Sequence, residues 1–595
     1  MELVYVLNIQ QKNVENLNLC FSNEYALEPI QKRKDNSNFS LFNKNIKLNV
    51  IAGENGSGKS AILEHIYNFS NMSYFYEEKE NNSTHGGSDF IVFKKDTNLY
   101  LKGDKYGIYD TMFNNELELK IHDETLNCSL ISHNNEVLNT DSLPEINNFF
   151  KTLKVLLKKF DILEYFDEKF IFKNLKISFK REDINQFNSK KIEGIKFFDN
   201  LKEKIKVLIE NNVEEITYRE KNSNYNKKTM FTTKNIEFEL KITYFINYLG
   251  SLQGRFQDNS AIEFLNSHQN FFDELTFENM FDLIISFNEK INEQDIFHTS
   301  YEEEILSIKL LIENLSKLYK KNSNKFTMQS QCIYYNEFFI DYETSVQLNF
   351  KEDSSVILPI LEELKKIEYS DFFELINFDL LSYDNNTSFS SLSSGEKSLI
   401  NKFMLIFYEI IFNYSEIILL DEPDTLLHPN WSKVFIKKLL KILENDSTLK
   451  TYNIHIILTT HSPFLLSDIP KENIIFLKNG KQEYPFKDNQ QTFGANIHTL
   501  LSHGFFMEDG LMGEYAKEKI NEVIQILKKD SLSSDEIKTC KDIISIIGEP
   551  ILQKTLQSQL DIKLYPKETQ LEKLEREQRE IQAKIDELKK KNETD

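Results

Sequence analysis

Eight residues constrain this chain more than any others: Gly53-Glu54-Asn55-Gly56-Ser57-Gly58-Lys59-Ser60. A β-like run, Ile46–Ala52, delivers the chain into them, and a helical pattern over Lys59–Phe69 carries it away. Glycine at 53, 56 and 58 lets the backbone turn so that successive N–H groups point inward at anionic oxygens. The positive end of the helix that follows adds to that field. The pattern predicts a phosphate-binding loop built from Gly53, Asn55, Gly56, Ser57, Gly58, Lys59 and Ser60. Lys59 is placed to reach the β- and γ-phosphates of a nucleotide, and the Ser60 hydroxyl to ligate magnesium.

A second group of motifs follows more than three hundred residues later. Ile417–Leu420 is four apolar residues ending in Asp421-Glu422, which reads as a buried parallel strand with two carboxylates at its tip. Asp421 is expected to hold magnesium. Glu422 is expected to polarise an attacking water or accept its proton, since phosphoryl transfer asks mainly for positioning and charge stabilisation. Acids at a strand end can also merely cap a neighbouring helix. The next buried strand, Ile454–Thr460, closes on His461, where an imidazole is expected to touch a γ-phosphate. Leu392-Ser393-Ser394-Gly395-Glu396 puts hydroxyls and a glycine just before a helical run, which makes an anion-accepting helix N-terminus. The same residues also fit an ordinary capping box.

At 595 residues the chain calls for two to four domains, and its 40% hydrophobic and 28% charged residues are those of a globular protein. The start Met1–Val6 carries no signal-peptide pattern, and the most apolar stretch, Met404–Leu420, is broken by Glu409, Asn413 and Glu416. Cys20, Cys128, Cys332 and Cys540 form no CxxC pair, so no disulfide or metal framework is expected and a reducing cytoplasm fits. A net charge of −22 argues against a uniformly basic surface. Residues 151–230, however, carry 19 Lys and Arg against 13 Asp and Glu. They read either as a solvated helical face or as a groove following a phosphate backbone.

Composition and pattern divide the chain into five parts. Residues 1–144 form the N-terminal part of the head, with strands Leu3–Ile9 and Leu17–Phe21 and an antiparallel hairpin layer from Asp89. Residues 145–384 are a mostly helical insertion, and 385–490 resume the nucleotide domain. Residues 491–565 read as helical. Residues 566–595 form a tail with Leu571, Leu574, Gln578, Ile581, Ile585 and Leu588 at 3-4 spacing. That tail fits a short coiled coil or packing against its own head equally well.

The combined motifs resemble the ABC-type ATPase heads of transporters, of chromosome-maintenance and recombination ATPases, and of the overcoming-lysogenisation-defect (OLD) ATPases. The resemblance covers roughly residues 1–140 and 385–480. It implies an α/β fold: an ABC-type P-loop head, with a mixed sheet plus an antiparallel β layer, interrupted by the helical insertion and followed by a helical C-terminal region. It implies ATP and Mg2+ as cofactors. It also implies that Ser393, Ser394, Gly395 and Glu396 act in trans on ATP held by a second copy, in a head-to-head dimer or higher oligomer. Where such heads carry an Asp crossing the dimer interface, this chain has His428, within Leu427-His428-Pro429, which is similar to the OLD branch. No glutamine stands at the expected Q-loop, for which Ser132-His133-Asn134 is the candidate.

OLD proteins continue into a TOPRIM nuclease with an Asp-x-Asp, and no convincing one follows residue 480 here. Thr492–His498, Phe505-Phe506-Met507 and Gly513–Ala516 resemble instead the TOPRIM-less ATPases of Septu-type and retron-associated antiphage systems. That resemblance implies a separate nuclease subunit of HNH type as partner, and DNA, RNA or a retron reverse transcriptase–msDNA complex as a further one, with no membrane. The alternative is a DNA-repair or recombination ATPase that clamps DNA directly.

Overall fold

The computed structural model describes the chain through residue 565 except for residues 12–13, 28–29, 33–40, 72–89, 96–97, 104–118, 122–126, 133–142, 160–161, 163–170, 181–195, 213–214, 220–227, 233–235, 256–258, 294–301, 331–332, 335–341, 368–369, 371, 383–386, 488–489 and 508–509. Beyond 565 it describes residues 572, 575, 578–579, 581–583 and 585–586. The chain divides into two compact units, Met1–Phe506 and Met507–Asp595.

The centre of the first unit is a six-stranded sheet in the order Lys481–Glu483, Ile474–Lys478, Ile46–Gly53, Ile454–Thr459, Ile417–Asp421, Cys128–Ser132. Five of these strands run parallel, and the short edge strand Lys481–Glu483 is antiparallel. Two-sided burial explains why the central strands are largely apolar. Side chains alternate between faces. Ile418, Leu420, Ile454, Ile456 and Leu458 enter one large core, and Ile417, Leu419 and Ile457 enter a second one on the opposite face. Each fully buried Ile or Leu is worth roughly 1.5–3 kcal/mol of removed apolar surface.

The second core is closed by helix Lys59–Asn71, through Ile62, Leu63 and Ile66, and by the predicted β layer. That layer has five strands: Val14–Cys20, Glu2–Gln11, Phe90–Lys95, Asn98–Gly103 and Leu119–Ile121. Its pairing is antiparallel except at the last pair, which is parallel. His455, fully buried, ties the two sheets together. Its Nδ1 accepts from the Leu3 N–H at 2.9 Å, and its Nε2 lies 2.7 Å from Asn49 Oδ1. Holding an acceptor on one nitrogen and a donor on the other requires the neutral ring, and burial pushes this imidazole down to about 3.

The first core runs without a break from the P-loop strand (Leu48, Val50) into the insertion (Phe197, Phe245, Phe287, Leu311). The insertion is mostly helical, with helices such as Lys196–Asn212, Ile236–Arg255, Met280–Glu293 and Glu302–Lys321. It also holds an antiparallel four-stranded sheet in the order Phe326–Ser330, Tyr342–Asn349, Phe172–Lys180, Ile376–Ser382, which helical patterning alone does not predict. Helix Leu143–Lys158 is fastened to the head. Lys151 lies 3.4 Å from Glu409, a carboxylate that also accepts from Ser129 Oγ and Asn413 Nδ2.

Residues 491–565 are helical in part: Ile497–Thr499 runs into a π-helical turn, Leu500–Gly504, and a separate helix spans Glu514–Leu527. In the second unit, helices Glu514–Leu527, Ser534–Ser545 and Pro550–Leu564 share a small core of Val523, Leu527, Cys540, Ile544, Leu556 and Leu560. The Ser534 helix starts from a capping box between Ser533 and Glu536. In the tail, Ile581 and Ile585 are 60% and 40% exposed. Leu571, Leu574 and Leu588 lie outside the described residues. Among the described residues no helix is long and apolar enough to cross a membrane.

Candidate nucleotide site

Parallel register assembles the site. Leu420 pairs with Leu458, and Leu458 with Val50, so the tips of three adjacent strands open side by side. Gly53, Asp421, Thr459 and, just beyond, His461 therefore share one end of the sheet, where open α/β sheets bind ligands. The edge strand Cys128–Ser132 adds Ser132, in register with Asp421. Of the Q-loop candidate, His133 and Asn134 lie outside the described residues.

The glycine loop needs its glycines for two reasons. Gly53 has φ 147°, and a Cβ there would stand 2.0 Å from the Leu477 carbonyl oxygen. Gly58 has φ 93°, and its Cβ would meet Val14 Cγ2 at 2.2 Å. Lys59, 5% exposed, donates to the carbonyls of Gly53 at 3.3 Å and Glu54 at 2.8 Å. Burial pushes its ammonium down to about 8, against the pull of Glu422 and Asp421. Ser57 Oγ is buried with no hydrogen-bond partner among the described residues, an orphan that a phosphate oxygen would satisfy. Asn55 and Gly56 are exposed at the rim.

Ser60 Oγ donates to Asp421 Oδ1 at 2.9 Å. These are hard oxygen donors beside a phosphate cradle. Among the described residues no group of three or more His, Cys, Asp or Glu is arranged to hold a metal ion. That set fits magnesium, which takes one or two protein oxygens plus phosphates and water, better than a metal caged by protein.

Glu422 sits at φ 47°, a left-handed conformation that costs a non-glycine residue about 1–3 kcal/mol unless its surroundings enforce it. Here they do. Its N–H donates to Thr459 Oγ1 at 2.9 Å, its carbonyl accepts from the Thr425 N–H at 3.0 Å, and its Oε2 accepts from Thr425 Oγ1 at 3.2 Å. Thr459 Oγ1 in turn donates to Asp421 Oδ1 at 2.6 Å. One hydroxyl therefore orients both carboxylate residues. His461 Nε2 lies 3.4 Å from Glu422 Oε1. Burial and the Lys59 charge hold the imidazole below its ordinary value, against the opposite pull of Glu422 and Asp421.

Ser393 caps helix Ser394–Phe412 in a full capping box. Its backbone N–H and its hydroxyl donate to Glu396 Oε2 at 3.0 and 2.9 Å, and its Oγ accepts from the Glu396 N–H at 3.4 Å. Ser393 and Ser394 are exposed, and a Cβ on Gly395 would stand 3.1 Å from the Leu426 carbonyl oxygen. Farther along the same helix, buried Lys402 donates to the Thr425 carbonyl at 3.0 Å. Helix Ser394–Phe412 is thus packed directly on the loop that carries Glu422. His428 is exposed and caps helix Pro429–Asn445, its Nδ1 accepting from the Asn430 N–H at 3.2 Å.

Sequence reasoning assigns no role to Thr459, Thr425, Thr460 or Lys402. Thr460 Oγ1 donates at 2.9 Å to Asp424, whose carboxyl burial raises above the usual range while that hydrogen bond opposes the shift. A hydroxyl residue at the tip of a buried strand, one register step from an acid, was the available signal. The basic segment looks different in three dimensions. Lys151 pairs with Glu409, Lys159 with Asp446 at 3.2 Å and Lys204 with Asp273 at 3.7 Å, and Lys158 covers the Phe412 ring at 4.8 Å. These lysines engage the protein itself.

Fold and site together have the layout of a P-loop nucleotide-binding domain. Residues 378–467 match the family described as "AAA domain, putative AbiEii toxin, Type IV TA system". That segment holds Leu392–Glu396, both acids and His461, and the fold brings the distant glycine loop to it. The chain is similar to two retron probable ATPases. It is 33% identical over 138 residues to the Retron Ec83 probable ATPase of Escherichia coli, covering 21% of this chain and 23% of that protein. It is 30% identical over 139 residues to the Retron Vc95 probable ATPase of Vibrio cholerae serotype O1 biovar El Tor, covering 21% and 25%. The matched segments thus span about a quarter of these relatives. Among solved structures, an Smc head domain with an extended coiled coil bound to the C-terminal domain of ScpA, from Pyrococcus furiosus, aligns over 81% of this chain and 94% of that chain. The identity is 13% and the TM-score 0.23.

Proposed function

We propose that this chain binds and hydrolyses ATP as the switch subunit of an antiphage defence complex, and controls a nuclease carried on a separate chain of HNH type. The observation that carries the ATP reading is the convergence of Ser60, Asp421, Thr459 and Glu422 beside a glycine loop with an orphaned hydroxyl. The retron ATPase relatives and the residues after 480 support the defence role.

In this reading Gly53–Ser60 wrap the phosphates, with Lys59 leaving the loop carbonyls for the β- and γ-phosphates. Ser60 and Asp421 hold magnesium, which supplies charge neutralisation of the phosphates when bound. Glu422 orients the attacking water and takes its proton, and His461 faces the γ-phosphate. Ser393, Ser394, Gly395 and Glu396 reach across to ATP in a second copy, with His428 at the interface, so two heads close over two nucleotides. The capping box at Ser393 occupies the Ser393 and Glu396 N–H groups, which leaves the N–H groups of Ser394 and Gly395, the first two of the helix, as donors for an anion.

Thr459→Val removes the hydroxyl shared by Asp421 and Glu422. Turnover is expected to fall roughly tenfold or more, and the Mg2+ concentration for half-maximal hydrolysis to rise, with Thr459→Ser restoring both. A magnesium titration of hydrolysis checks this, and an unchanged requirement would remove Thr459 from the site.

Copurification from the native operon with mass measurement tests the partner. The expected result is a complex with a nuclease chain whose activity depends on nucleotide. Cleavage of DNA or RNA by this chain alone through a metal site would refute the reading. Strong, salt-sensitive DNA binding by the isolated chain would point to a direct DNA clamp instead.

A further inference from the structure

The segment Leu500–Phe506 shows three unusual features together and touches the site at two points. It opens as a π-helical turn, Leu500–Gly504, a geometry that is rare and concentrated at functional positions. Gly504 lets it press close, since a Cβ there would stand 3.3 Å from both Leu466 Cδ1 and Phe476 Cε1. It ends with Phe506 at φ 56°, strained for a bulky residue. Phe505 is 7% exposed, and its ring stacks on the His461 imidazole with centroids 6.1 Å apart and planes at 28°. The Phe506 ring lies 5.2 Å from Lys478 Nζ, and Lys478 lies 3.9 Å from Glu54 of the glycine loop.

We propose that Phe505 is a positioning residue for His461, its ring forming the wall that keeps the imidazole edge turned towards Glu422. Phe506 fastens the same segment to the glycine loop through Lys478 and Glu54. The stack restricts ring rotation about the His461 side-chain bonds, which a wall of aliphatic methyls does less well than a flat aromatic face. Loss of that wall lets the imidazole swing out without unmaking the site around it. The inference rests on the reading of this site as an ATP-hydrolysing one, and one of its tests does not need hydrolysis.

The test compares Phe505→Ala, Phe505→Leu and Phe505→Tyr in the full-length chain. In the nucleotide-free protein, the rate of His461 carbethoxylation by diethyl pyrocarbonate, read by peptide mass spectrometry, is expected to rise several-fold in the alanine and leucine variants and to stay near the parent value in the tyrosine variant. In hydrolysis, the alanine and leucine variants are expected to lose about tenfold in kcat with KM within twofold of the parent, and tyrosine to restore most of it. Phe505→Leu with parental labelling and kcat would overturn the proposal, as would losses from Phe505→Ala and His461→Ala that multiply in the double variant. If the alanine variant fails to fold, the leucine and tyrosine pair carries the comparison. A parent chain that hydrolyses no ATP would overturn the function reading, while the labelling still decides the role of Phe505.

Discussion

Replacing Glu422 with glutamine is expected to leave nucleotide binding within about twofold of the parent and to cut hydrolysis by roughly 10²–10⁴. Glutamine keeps the shape of the side chain, and its amide oxygen still accepts from Thr425 Oγ1, now at 3.2 Å from Oε2. The backbone bonds that enforce the left-handed φ, from the Glu422 N–H to Thr459 and from the Thr425 N–H to the Glu422 carbonyl, are untouched. What is lost is the carboxylate proposed to take the water's proton, which also faces His461 Nε2 at 3.4 Å. Slow hydrolysis with intact binding lets ATP-bound heads accumulate. Steady-state turnover measured beside equilibrium binding of a fluorescent ATP analogue separates the two effects, and normal turnover would refute Glu422 as the base.

Lys59→Ala is expected to weaken ATP binding by roughly two orders of magnitude, since losing charged hydrogen bonds to phosphate costs about 3 kcal/mol. In the free protein the ammonium rests on the carbonyls of Gly53 and Glu54, and burial holds it near 8. Bound phosphate favours the charged form, so the value rises on binding and a proton is taken up when the pH exceeds about 8. Affinity is therefore flat below that pH and falls above it, by about tenfold at pH 9. Titrations at pH 7 and pH 9 check this, and Lys59→Arg, charged throughout the range, is expected to abolish the dependence.

Much of this fold is legible in local pattern because buried parallel strands are written as largely apolar runs, interrupted in the three below only by Lys47, Asn49 and His455. Ile46–Ala52, Ile417–Leu420 and Ile454–Leu458 appear in the structure within a residue of where the pattern puts them. The glycine loop and the two acids are legible for the same reason, being strand tips followed by sharp turns. What is not legible depends on pairing across long separations. The strand Phe172–Lys180 does alternate, with Leu175, Ile177 and Phe179 buried, but its partners Tyr342–Asn349 and Ile376–Ser382 lie more than 150 residues away in a lysine-rich context. Thr459 acquires its place only when Leu458 comes into register with Leu420, and Phe505 acquires its place only through His461. The lysine surplus of 151–230 shows the reverse case, since composition alone leaves its use open, while in the structure Lys151, Lys159 and Lys204 pair with Glu409, Asp446 and Asp273.

Helix Ser394–Phe412 lies against the Glu422 loop through Gly395 and Lys402, so the proposed contact in trans and the proposed hydrolysis in cis would share one mechanical unit. That arrangement makes ATP-dependent pairing of heads the centre of the proposed switch. The mass of the Glu422→Gln protein in solution, measured with and without Mg2+-ATP, tests it most directly. One chain without nucleotide and two or an even number with it is the predicted result; a single-chain mass in both conditions, with ATP demonstrably bound, would contradict it.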